Sequence, residues 1–91
     1  MIVLATHVTR IAMADKTAHL RRALAENLKG IRRKHGLSQE ALAAKCGLHR
    51  TYVGSVERGE RNVSLSTLAT LGAALGISVP ELLSDRPARR G

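Results

Sequence analysis

Between Leu37 and Gly59 the chain carries two short helical patterns with almost nothing between them. Ser38 is placed to cap the first, because its hydroxyl can accept a bond from a backbone N–H of the opening turn. Glu40 adds negative charge where the helix dipole favours it. This helix runs to about Lys45, and Gly47 supplies the left-handed residue that ends it. The second runs from His49 to about Arg58, with Val53 and Val56 facing inward and Gly59 stopping it. Packing two helices across so tight a turn needs a small residue on the first, Ala43, and a turn residue free to take positive φ, Gly47. It also needs apolar anchors on the second helix, Val53 and Val56. The last three stand 4, 10 and 13 residues after Ala43, and Leu42 and Leu48 complete the seam. An ordinary helical hairpin shows two of these features by chance; four together are more specific. The outer face of the second helix then becomes a rigid probe.

The rest of the chain supports this pair. Leu20, Leu24, Leu28 and Ile31 recur at spacings of three and four from about Thr17, which predicts a helix ending before Gly36. Its outer face carries Arg21, Arg22, Lys29, Arg33 and Lys34. Ser64 caps a fourth helix with the stripe Leu65, Leu68, Leu71 and Leu75, ended by Gly76. Ser78-Val79-Pro80-Glu81 is a capping-box pattern that opens a short fifth helix with Leu82 and Leu83. No segment alternates with period two over a useful length. The expectation is an all-α fold of five short helices over residues 17–84. Residues 1–16 are expected as a loosely ordered arm or an upstream start, since Met13 is a plausible alternative beginning. Residues 85–91 are expected as a basic tail.

Charge narrows the function. Lys and Arg outnumber Asp and Glu by 15 to 7, a formal net charge of +8 over 91 residues. That balance points to a polyanion, either nucleic acid or an anionic membrane surface. The membrane option lacks a basic amphipathic helix with large apolar anchors, and no apolar run is long enough to span a bilayer. Tyr52 is the sole aromatic residue. Binders of single strands stack bases on several rings, so duplex DNA is favoured. A single cysteine, Cys46, cannot staple the fold internally, which fits a cytoplasmic protein. His7, His19, His35, His49 and Cys46 show no metal-ligand spacing, and neither paired carboxylates nor a phosphate-cradling loop is present. No metal, cofactor or enzymatic activity is expected.

The segment GLSQEALAAKCGLHRTYVGSVERGERNVSLSTLATLGAALGISVPELL resembles the Cro/repressor-type helix-turn-helix family, also called the XRE family. The likeness covers about Leu20 to Leu83. Its marks are Leu-Ser-Gln-Glu-x-Leu-Ala at 37–43, Glu-Arg-Gly at 57–59, and Asn62-x-Ser64 before Leu65. The stretch GLHRTYVGSVERGERNVS is similar to controller proteins of restriction–modification systems.

The resemblance implies a five-helix repressor-like domain and a role for each matching residue. Gln39 would touch a DNA phosphate and brace the recognition helix. Arg50, Thr51 and Ser55 would read base edges, with arginine able to fork onto guanine. Positions 50, 51, 54 and 55 also share the face opposite Val53 and Val56 on a 3.6-residue helix. Tyr52 would reach a phosphate or pack its ring against the preceding helix, while Arg58, Arg61 and Asn62 would border the other phosphate strand. Arg32 and Glu57 would form a partly buried ion pair. Two positions depart from the pattern. His49 is a weaker cap than Ser or Thr and could meet a phosphate instead. Gly54 offers no side chain and would let the helix backbone approach DNA. Arg21, Arg22, Arg89 and Arg90 are expected as solvated side chains.

The expected function is therefore a sequence-specific regulator of transcription. It would act as a homodimer on a pseudo-palindromic site, with Ile77, Val79, Leu82 and Leu83 as the dimer surface. The alternative is an antitoxin-type protein that binds a partner protein and regulates itself through DNA.

Overall fold

The computed structural model describes the backbone of residues 2–85 and the side chains of residues 17–85. Five helices follow in order: α1 (Ile2–Lys34), α2 (Gln39–Cys46), α3 (Arg50–Glu57), α4 (Leu65–Leu75) and α5 (Val79–Leu82). Among the described residues there is no strand. Helix α1 begins well before Thr17. Residues 2–16 contain neither Gly nor Pro to interrupt it. The arm expected over residues 1–16 thus falls where side chains lie outside the described residues, and so does the expected tail beyond Asp85.

Local signals set the helix ends. Ser38 Oγ accepts the Ala41 N–H at 2.9 Å. Gly47 takes φ 68°, and its turn lets the Leu48 N–H reach the Ala43 carbonyl at 2.9 Å. Ser64 caps α4 through the Thr67 N–H, and Ser78 with Glu81 forms the full capping box of α5. A hydrophobic core joins all five helices: Leu24 and Leu28, Leu42 and Ala43, Val53 and Val56, Leu68, Leu71 and Leu75, and Leu82.

Two members of the expected stripes fall outside this core. Leu20 is 48% exposed and Leu65 is 78% exposed. Leu65 is the first residue of α4, and Leu20 lies one turn before Leu24, the first residue of α1 in the core. One dimer-surface residue is corrected in the opposite direction. Leu82 is fully buried within the protomer, so it is core and not interface, while Ile77, Val79 and Leu83 are half-buried. The short α5 is drawn inward by α1. Asn27 Nδ2 donates to the Leu82 carbonyl at 2.9 Å and the Ser84 carbonyl at 2.8 Å, satisfying acceptors that the helix end leaves open.

Candidate nucleic-acid interface

Helix α3 is fixed from behind by an ion pair. Arg32 donates to both Glu57 oxygens, Nε to Oε2 at 2.6 Å and Nη2 to Oε1 at 3.0 Å. Its remaining nitrogen, Nη1, donates to the Leu37 carbonyl at 2.7 Å. Gln39 Nε2 adds a second bond to Glu57 Oε1 at 3.0 Å. Both charged residues are buried. Burial pushes the Glu57 carboxyl up. The bonds from Arg32 and Gln39 and the charges of Arg32 and Lys29 outweigh it and hold the carboxyl below its ordinary value. The network ties α1, α2 and α3 together at one point, as expected for Arg32 and Glu57. It also shows Gln39 bracing α3.

Arg50 and Thr51 stand exposed on the first turn of α3. His49 precedes them in extended conformation, exposed, with no side-chain cap bond. It is the weak cap that the sequence suggests.

Ser55 requires correction as a base reader. It is 5% exposed, and its hydroxyl is committed twice, donating to the Tyr52 carbonyl at 2.7 Å and accepting from Arg61 Nε at 3.0 Å. Helical phase places position 55 on a flank of α3, and the loop after the helix folds back to cover that flank. The guanidinium of Arg61 also lies over the Tyr52 ring, 5.1 Å from its centre. Tyr52 is half-buried against the core, the packed alternative of the two expected.

Gly54 is also buried. A Cβ built on it would stand 3.4 Å from Arg58 Nη1 and 3.5 Å from Gln39 Oε1. Its bare backbone therefore seats two side chains of the protein itself, and is not left open to DNA.

The loop after α3 holds the remaining expected phosphate contacts. Arg58 grips Glu60 with two nitrogens, Nε to Oε2 at 3.0 Å and Nη2 to Oε1 at 3.2 Å. The bond to Glu60 raises the Arg58 pKa and lowers that of Glu60. Asn62 is exposed and accepts from Arg21 Nη1 at 3.0 Å, while Arg21 Nε holds the Gly59 carbonyl at 3.1 Å. Arg21 is thus a strut between α1 and the loop and not a solvated side chain. Sequence reasoning missed it and Glu60 because both act across a loop whose path no periodicity encodes. Among the described residues, no group of three or more His, Cys, Asp or Glu could hold a metal. No described helix is long and apolar enough to cross a membrane.

The helix-turn-helix family model, HTH_3, matches residues 28–82. A control protein, C.SmaI of Serratia marcescens, is 58% identical over 65 residues, covering 71% of this chain and 77% of that protein. Another, C.BamHI of Bacillus amyloliquefaciens, is 43% identical over 68 residues, covering 74% and 84%. Among solved structures, a hypothetical transcription factor from Neisseria superposes with a TM-score of 0.70 at 46% identity, over 74% of this chain and 75% of that one. The restriction–modification controller protein C.AhdI of Aeromonas hydrophila gives 0.65 at 48% identity, over 68% and 94%.

Proposed function

Because this chain belongs to the helix-turn-helix family HTH_3, we infer that it is a sequence-specific regulator of transcription that binds double-stranded DNA. Its similarity to restriction–modification controllers and to a transcription factor favours this over the antitoxin reading. The observation that carries the proposal is the construction of α3. Its inner side is locked by the Arg32–Glu57–Gln39 network, while Arg50 and Thr51 project from its first turn. A rigid helix with an arginine at its exposed N-terminal end suits the major groove, where arginine forks onto guanine.

In this reading Arg50 and Thr51 contact bases. Gln39, His49, Arg58, Arg61 and Asn62 form the phosphate-facing rim, and Tyr52 packs behind it. The Ser38-capped start of α2 places Gln39 beside α3, so its amide can meet a phosphate while it braces Glu57. Two copies act together, with their α3 helices about 34 Å apart in successive grooves of a pseudo-palindromic site. Ile77, Val79 and Leu83 contribute to the contact between copies. The task is binding and not catalysis, and a duplex-DNA ligand implies a cytoplasmic protein.

Selection from a random duplex pool, at fixed salt and with Arg50→Ala beside the wild type, tests the proposal. The expected result is a two-fold symmetric motif that Arg50→Ala relaxes at one base in each half-site. Binding without any enriched motif, fading as salt rises, would leave only charge-driven association and defeat it.

A further inference from the structure

We propose that Glu60 is a specificity-determining residue of this interface, an internal stand-in for a DNA phosphate that controls how Arg58 is offered to the duplex. The inference rests on the DNA-binding reading above.

The arginines around the end of α3 are held in two different ways. Arg21 bonds to the Gly59 carbonyl and Asn62 Oδ1, and Arg61 bonds to the Ser55 hydroxyl. These partners are neutral, so Arg21 keeps its full charge toward solvent, while Arg61 meets the Glu60 carboxylate through space and without a hydrogen bond. Arg58 instead meets a carboxylate, through two nitrogens in the fork geometry that arginine uses for phosphate. Glu60 is held in place by its own backbone, whose N–H donates to the Ser55 carbonyl at 3.0 Å.

The fork leaves one nitrogen, Nη1, and fixes where it lies. That atom sits over the bare backbone of Gly54, beside the Gln39 side chain. A phosphate docked next to Gln39 meets Nη1 without breaking the Arg58–Glu60 pair. A phosphate elsewhere meets a neutralised pair, or must displace Glu60. The two side chains are 59% and 55% exposed, so the pair is screened by solvent, contributes little to folding and is open to competition. Glu60 therefore weakens contacts made out of register more than those made in register. Out-of-register contacts are the sequence-independent part of DNA affinity.

The test compares wild type and Glu60→Gln on two duplexes of equal length across a salt series. One carries the consensus recovered by selection, and the other is a scramble of it. Glu60→Gln is expected to tighten binding to the scramble by about two- to five-fold. Its salt slope there should steepen by about 0.9 for each subunit bound. Affinity for the consensus should change by less than about two-fold, so discrimination falls. In an Arg58→Ala background the same substitution should lose its preference for the scramble, because the fork is gone and only the through-space charge on Arg61 remains. Equal tightening on both duplexes would reduce Glu60 to a subtracted charge and overturn the inference alone, as would no change on either. A wild type that yields no consensus would overturn the inference together with the reading beneath it.

Discussion

Glu57 is the residue on which the reading helix depends most. Its carboxylate is buried and receives three hydrogen bonds, two from Arg32 and one from Gln39. Removing it strands the Arg32 guanidinium in the core, a loss of about 3 kcal/mol or more. Glu57→Ala is therefore expected to lower the urea midpoint sharply, and an unchanged midpoint would sink this account. The same carboxylate gives stability a pH dependence of defined sign. Its folded pKa lies below the ordinary 4.5, so the unfolded chain takes up the proton first as pH falls. Stability present above about pH 4.5 is lost as pH drops through the folded value. Urea unfolding of Glu57→Gln at pH 6 and pH 3 should show a smaller difference than the wild type. This pair was legible in the sequence through the family resemblance. Ser55 was not, because the helical wheel shows only the helix's own faces. The side chain that covers Ser55 comes from Arg61, beyond the end of α3.

Within the elements, two buried glycines make opposite demands. At Gly54 an added methyl would make only ordinary contacts with the Arg58 and Gln39 side chains, at 3.4 and 3.5 Å. Gly54→Ala should stabilise α3 by about 1 kcal/mol through helix propensity. At Gly72 the same methyl would stand 2.6 Å from the Ile77 carbonyl oxygen, where backbone must move. That carbonyl belongs to the turn in which the Ile77 N–H bonds to the Gly72 carbonyl at 2.9 Å. Gly72→Ala should destabilise the fold by about 1–3 kcal/mol. Thermal midpoints of the two variants moving in the same direction would refute this contrast. The caps of α2, α4 and α5 and the stops of α2 and α4 were readable because Ser38, Ser64 and Ser78, and Gly47 and Gly76, act on neighbours within a few residues. The burial of Leu82 was harder to foresee. It depends on Asn27, far away in the chain, drawing α5 onto α1. The N-terminal extent of α1 escaped although Leu4, Val8 and Ile11 stand at spacings of four and three, because Met13 also reads as a plausible start.

For the whole molecule, the excess of positive charge and the proposed pairing of copies are the properties to measure. The logarithm of DNA affinity should fall linearly with the logarithm of salt concentration, with a slope of about 0.9 for each phosphate neutralised. Sedimentation at tens of micromolar should give a dimer, and a monomer there would defeat the paired arrangement. The all-helical architecture and the crossing of α2 with α3 were visible in the sequence, since apolar spacing and turn residues encode both. The bonds that Arg21 and Glu60 make around the loop were not, because they join α1 and the end of α3 to the segment between α3 and α4. The burial of Ser55 also limits how much information the protein can extract from a genome. In the proposed reading, with Arg50 and Thr51 as the readers and two copies on the site, about four bases are questioned directly, which leaves one random match in about 250 positions against the roughly million or more competing sites of a genome. Most of the message must then be carried by the duplex itself, in the bending and groove width of base pairs that no side chain touches. A target site for this protein is better sought by its mechanics than by its letters.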